Sequence, residues 1–354
     1  MALGCGCAAA VVHPDSDAHC GCGGSTPKPS GGRAPAVTSE LYAAADVAQA
    51  AASTRETTDL IAASAGMEPS CRPLLWPMLI GLAEPSTDAE LESEYQSLSG
   101  KVNTVDESLV KTIDADMPRT IVTDERRSRL RALLLAHCVF APSWGYFQGM
   151  NEVGCVVLEA YEGGGGTGSL GRQFWLLRGV LATSSDNWAR ADLGGVWMQA
   201  RAVRCVLQHA DKPLAARLEA LEGRGFSKEQ PLAFLFGPIF LRLKRELATL
   251  EEAMRLWEVC WASGRHFHIF VLSAFVMTQR KQLMRIRGGG AEVHHLFNQL
   301  HGKLFAAPLL AAARVLRNAS SVSEQVDAVM MKAPDDSVPA TPAAPGGAKT
   351  LYAL

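Results

Sequence analysis

Leu130, Leu133, Leu134, His137 and Cys138 stand at i, i+3, i+4, i+7 and i+8 behind Thr123-Asp124-Glu125. That spacing lines all five along one face of a helix that starts near Asp124. Thr87 with Glu90, and Thr249 with Glu252, have the spacing of capping boxes before further apolar runs. Across a block of about 270 residues no convincing stretch alternates apolar and polar side chains, and no hairpin turn joins two β-branched runs. The expected fold is therefore all-α, a single domain of about a dozen helices.

The ends of the chain read differently. Residues 1–37 are rich in Gly, Ala, Ser, Pro and Cys and carry little periodic apolar content, so a disordered tail is expected. Residues 38–67 read as a helical lead-in, 68–317 as the folded domain, and 318–354 as a mostly disordered tail. Gly163 to Gly166, with Gly168, interrupt the helical pattern and should form a surface loop. Gly288-Gly289-Gly290 mark another break.

Composition excludes several classes. With a net charge of -2 the chain lacks the basic excess that nucleic-acid binding requires. Its start has neither a basic segment nor a long apolar run, so no secretory leader is expected. The longest apolar stretches, such as Ile269 to Met277, are too short to span about 30 Å of hydrocarbon. A cytoplasmic protein is the expectation, with peripheral recruitment to membranes left open.

Of the nine cysteines, Cys71, Cys138, Cys155, Cys205 and Cys260 lie in apolar helical patterns, where a free thiol packs as a small hydrophobe. Cys5, Cys7, Cys20 and Cys22 form two Cys-x-Cys pairs, tighter than the usual zinc spacing. His266 and His268, near Cys260, are two apart and do not share a helix face. No metal is expected. His294-His295 reads as a helix-surface pair. Ser70 and Ser143 lack a positioned His and acid, so a nucleophilic enzyme is unsupported. The chain has no Gly-x4-Gly-Lys-Ser/Thr loop for nucleotide phosphates.

Two short segments carry the chemistry. Ile113-Asp114-Ala115-Asp116-Met117-Pro118-Arg119-Thr120 places Arg119 in what reads as a loop, because the residue before a proline is biased away from helix. Asp116 is suited to hold its guanidinium or cap the local backbone. Tyr146-Phe147-Gln148-Gly149-Met150-Asn151 places Gln148 in a second loop, with Asn151 as a helix cap. An arginine stabilises charge on a transferring phosphoryl group, and a glutamine can orient the attacking water. Each residue alone reads as ordinary surface. A third segment, Cys71 to Leu82, puts Trp76, Leu79 and Ile80 on one helix face behind Arg72, which reads as a core-packing helix with a scaffold arginine.

Taken in order, these segments resemble the TBC domain of Rab GTPase-activating proteins. The match comprises Arg72, Pro73, Trp76, Leu79 and Gly81; then Ile113, Asp116, Arg119 and Thr120; then Gly145, Tyr146, Gln148, Gly149, Met150 and Asn151. Leu256-Trp257-Glu258 and the apolar run from Phe267 to Met277, with Ala274, extend it. The resemblance implies that Arg119 and Gln148 are fingers supplied in trans to a GTP-loaded Rab-type GTPase. Asp116 would orient Arg119, Asn151 would support the site, and Tyr146, Arg72 and Trp76 would shape it. GTP and Mg²⁺ would belong to the partner, and the chain would need no cofactor of its own. It would activate another protein's hydrolysis rather than be an enzyme in the strict sense. A catalytically inactive GTPase-binding or scaffold module of the same fold is the alternative.

Ile121-Val122-Thr123-Asp124-Glu125-Arg126-Arg127 also fits Ile-x-x-Asp-x-x-Arg. Arg119 is preferred because Thr120 follows it and because it stands 29 residues before Gln148, against 21 for Arg127. Pro238, in Phe234 to Phe240, stands where the family usually carries a tryptophan, which puts the local helix geometry in question.

Overall fold

The computed structural model describes residues 54–82, 87–120, 123–163, 165, 169–188, 193–222, 230–264, 266–318 and 320–331. Among these residues the chain forms sixteen α-helices and no β-strand. Helices α1 (Thr54–Ala63), α2 (Arg72–Leu79), α3 (Asp88–Ser99) and α4 (Glu107–Asp116) lead to α5 (Asp124–Phe140) and α6 (Met150–Gly163). These are followed by α7 (Leu170–Ala182), α8 (Gly194–Ala210), α9 (Lys212–Glu222) and the short α10 (Phe236–Phe240). The chain closes with α11 (Leu250–Ala262), α12 (Phe267–Thr278), α13 (Arg280–Leu283), α14 (Gly290–Asn298), α15 (Ala306–Arg317) and α16 (Ser320–Met330). An isolated parallel bridge pairs Leu247 with Leu304.

Local sequence explains where the helices start. Thr87 Oγ1 accepts from Glu90 N, and Thr249 Oγ1 accepts from Glu252 N, both at 3.2 Å, so both capping spacings form as expected. Thr123 caps α5, accepting from Arg126 N at 3.4 Å. Leu130, Leu133, Leu134, His137 and Cys138 are all buried on one face of α5, which packs on α6 and α7. The most apolar helix, α12, is flanked by α8 and α15 and is buried nearly all round.

One expectation is corrected: part of the stretch after 317, read as a mostly disordered tail, is helical. Residues Ser320–Met330 form α16, which packs on α8 with Val322 and Val326 buried. Val322, Val326 and Val329 fall at i, i+4 and i+7, an apolar stripe along α16. Pro238 does not sit in a long helix. Leu232 enters the left-handed region at φ 51°, a 3₁₀ turn follows at Ala233–Leu235, and α10 is only five residues long. Arg242 (φ 52°) and Leu243 (φ 62°) then turn the chain sharply out of α10. Pro238, without an N–H, sits in the first turn of α10, where that donor has no helical partner.

The expected tail at 1–37 and its two Cys-x-Cys pairs lie outside the described residues, as do 38–53 of the lead-in and 332–354. Of the glycine run only Gly163 and Gly165 are described. No helix among the described residues is long and apolar enough to cross a membrane.

Candidate functional site

Asp116 is the last residue of α4 and is buried. A 3₁₀ turn, Met117–Arg119, continues directly from it, and Thr120 N closes the turn on Met117 O at 3.1 Å. Arg119 therefore sits in a tight turn rather than an open loop. Met117 stays helical (φ −57°, ψ −45°) despite Pro118 after it. Pro118 falls in the first two positions of the new turn, where its missing N–H leaves no bond unmade. The Thr120 hydroxyl donates back to Asp116 O at 3.0 Å and tightens the segment further.

The second segment is shaped by two glycines. Gly145 (φ 62°) follows a turn closed by its own N–H on Ala141 O at 2.9 Å. Gly149 has φ 112°, and a Cβ there would lie 3.0 Å from Leu241 Cδ2. Only glycine combines that dihedral with that close approach. Helix α6 begins immediately afterwards, at Met150, so Asn151 lies inside its first turn rather than at the cap. Its carboxamide still reaches backwards, accepting from Gly149 N at 3.1 Å.

A hydrogen-bond network fuses the two segments. Tyr146 Oη donates to Asp116 Oδ2 at 2.7 Å, and Gln148 Nε2 donates to Asp116 Oδ1 at 3.0 Å. Asn151 Nδ2 donates to Thr120 Oγ1 at 2.8 Å, while Asn151 Oδ1 lies 3.1 Å from the Tyr146 phenol. Burial, reinforced by the Asp116 charge, drives the Tyr146 pKa far up, so the phenol keeps its proton and remains a donor. Both oxygens of one buried carboxylate are thus committed to the glutamine segment.

The assignment of Asp116 to Arg119 is corrected. Asp116 holds Gln148 and Tyr146, and Arg119 is exposed with no hydrogen bond or ion pair among the described residues. Gln148 is half-buried; its amide nitrogen is bound, and its Oε1 has no donor among the described residues. Arg127 lies in the first turn of α5 and pairs with Asp124.

Arg72 and Trp76 belong to a separate cluster. Arg72 Nε donates to Glu258 Oε1 at 2.7 Å, and its two terminal nitrogens reach Glu251 at 2.7 and 2.8 Å. Trp76 Nε1 and Met67 N donate to the same Glu258 carboxylate, at 3.1 and 2.8 Å. Desolvation pushes the Glu258 carboxyl up in pKa, against the pull of Arg72 and these donors. Trp76 meets Trp261 edge-on with ring centroids 5.0 Å apart. Both residues thus serve as scaffold, as the reading of that helix in isolation suggested. Sequence reasoning overlooked Glu258 as the hub, although a carboxylate inside Leu256-Trp257-Glu258-Val259 is a charge within an apolar run and demands a partner.

His266 Nδ1 pairs with Asp327 at 2.7 Å and His268 Nε2 donates to Gln199 Oε1 at 3.1 Å. No group of three or more His, Cys, Asp or Glu among the described residues is arranged to hold a metal.

Residues 69–284, more than half of the chain, match the family model of the Rab-GTPase-TBC domain. The chain belongs to this family. It is 24% identical to TBC1 domain family member 17 of Mus musculus over 281 residues, which cover 72% of this chain and 41% of that protein. It is 29% identical to Rab GTPase-activating protein 22 of Arabidopsis thaliana over 139 residues, 38% of this chain and 22% of that one. The chain therefore spans less than half the length of these two relatives. The crystal structure of the Ypt/Rab-GAP domain of Gyp1p shares the fold, with a TM-score of 0.62 at 18% identity over 75% of this chain and 92% of the domain. The TBC fold is all-α, and the described residues here form helices and no strand.

Proposed function

We propose that this TBC domain accelerates GTP hydrolysis by a Rab-type small GTPase, supplying Arg119 and Gln148 in trans. One observation supports this above the others: Asp116 and Thr120, which flank Arg119, are hydrogen-bonded to Gln148 and Asn151 of the second segment. The residue types suited to charge neutralisation and water placement are thereby held next to each other before any partner arrives. The Rab GTPase-activating protein of Arabidopsis, similar over part of the chain, lends the same reading.

In this mechanism the free guanidinium of Arg119 bridges the transferring phosphoryl group and neutralises its developing charge. Gln148 uses its uncommitted Oε1 to accept a hydrogen bond from the attacking water and orient it, while Asp116 fixes the amide at its other end. GTP and Mg²⁺ are carried by the partner. A planar fork is needed at 119, so Arg119→Lys is not a conservative change. Where the partner is membrane-bound, this domain works at that surface, which would place it in vesicle traffic.

Single-turnover GTP hydrolysis across a panel of purified Rabs tests the proposal. At least one Rab should be accelerated, and Arg119→Ala should remove about 10³-fold or more of that acceleration with unfolding temperature unchanged. Gln148→Ala should act in the same direction. Loss of activity in Arg127→Ala but not in Arg119→Ala would show that the finger lies at 127. A GTP-loaded Rab that binds and is not accelerated would establish the scaffold reading instead.

A further inference from the structure

The ends of α2 and α10, the turn after α7 and one face each of α11 and α12 line a cavity of about 780 Å³, within the usual size range of small-molecule sites. Leu79, Ile239 and Leu256 give it apolar wall, and the indoles of Trp257 and Trp261 face it. Arg242 is its cation. Arg242 Nη2 donates to Val180 O at 3.3 Å and to the hydroxyls of Thr183 and Ser184 at the end of α7. Nε and Nη1 have no acceptor among the described residues, and no described carboxylate pairs with the guanidinium. The faces of Trp257 and Trp261, with centroids 5.5 and 5.9 Å away, offset part of the charge. Burial draws the pKa down to about 10, which leaves the group charged at neutrality.

The surroundings add no second charge to satisfy it. Asp186 lines the rim, exposed and unbonded to Arg242. His266 is engaged with Asp327, and His268 is held neutral, its pKa drawn down to about 3 by burial and by Arg242 itself. The backbone is strained at this place. Arg242, Leu243 and His266 all take the left-handed conformation that non-glycine residues avoid, and all three line the cavity. Strained non-glycine backbone clusters at ligand sites, where the surroundings hold it in place.

We propose that the cavity binds a small amphipathic anion, with a carboxylate or phosphate monoester head on Arg242 and an apolar body along Trp257, Trp261 and Leu256. The unbonded Nε–H and Nη1–H are charge-assisted donors that suit either head group, and the Ser184 hydroxyl lies beside the guanidinium. The site is independent of the GTPase-activating reading and would stand if that reading failed.

The test is calorimetric titration of the full chain with octanoate, octyl phosphate, octanol and inorganic phosphate. One or both amphipathic anions should bind saturably, octanol and inorganic phosphate at least tenfold more weakly. Arg242→Gln should weaken anion binding tenfold or more. The comparison of octanoate with octanol uses the unaltered chain, so it decides the head group even if Arg242→Gln fails to fold. Sedimentation with phosphatidylcholine vesicles, with and without phosphatidate, separates the sources of the anion. Arg242-dependent pelleting with phosphatidate points to a lipid head group, and its absence beside octyl phosphate binding points to a free metabolite. Either supports the site. Octanol binding as tightly as the anions, inorganic phosphate matching octyl phosphate, anion binding unchanged by Arg242→Gln, or no saturable binding at all would overturn it.

Discussion

Asp116 divides its two oxygens between Tyr146 and Gln148, and this division sets how the glutamine segment is held. A hydrogen bond to a buried charged group contributes about 1.5–3 kcal/mol, so Tyr146→Phe should lower unfolding free energy by about 2 kcal/mol. It should also reduce stimulated GTP hydrolysis without weakening Rab binding, because Asp116, the anchor of Gln148, loses one of the two bonds that orient it while Arg119 is untouched. Urea denaturation and the hydrolysis assay read the two effects separately, and an unchanged stability would mean that the phenol–carboxylate bond carries no weight. The residue types of this site were legible in the sequence. Its wiring was not: Asp116 stands three residues from Arg119, which invites a local ion pair, whereas its partners lie 30 and 32 residues further on. A bond over such a distance depends on how the end of α4 meets the segment that precedes α6, which spacing within one segment does not encode.

Among the elements, α2 and α11 are joined by charge inside the core. Arg72 and Glu258 are both almost fully buried, at 2% and 0% exposure. Removing one partner leaves the other desolvated and unpaired, so Arg72→Ala and Glu258→Ala should each cost about 3–5 kcal/mol. The double replacement Arg72→Met with Glu258→Leu should cost clearly less than the sum, since no fully buried charge is left unpaired and the part-exposed Glu251 keeps Arg255. Chemical denaturation of all three variants checks this, and strict additivity would contradict a coupled pair. Helix positions themselves were readable wherever a cap and an apolar stripe agreed, as at Thr123 and Leu130 for α5 or Thr249 for α11. The stretch around Pro238 was not, because its course depends on three residues in the left-handed region, Leu232, Arg242 and Leu243, none of them a glycine that would have signalled it.

The molecule as a whole should lose stability in mild acid. His137 is buried with neither ring nitrogen bonded among the described residues, and burial pulls its pKa down to about 4. Between pH 6.5 and 4 the unfolded chain takes up a proton that the folded imidazole refuses, so stability falls with falling pH, by about 3 kcal/mol for this one group. His268, drawn down to about 3 by burial and Arg242, acts in the same sense. Glu246 opposes them: burial raises its pKa to about 7, so its contribution is lost as pH rises from about 4.5 to 7. Urea midpoints should therefore fall from pH 6.5 to 4.5 in the unaltered chain and fall more steeply in Glu246→Gln. A midpoint that rises on acidification would mean that these imidazoles are charged in the folded state. The Arg72–Glu258 link has a further consequence in time. Its two halves are 186 residues apart, and ribosomes add about 5–20 residues per second, so Arg72 waits roughly 10–40 s after its own synthesis for its partner to exist. Through that interval the nascent amino-terminal helices carry an unmatched cation and an uncovered Trp76, surface that stays open to water until α11 is made.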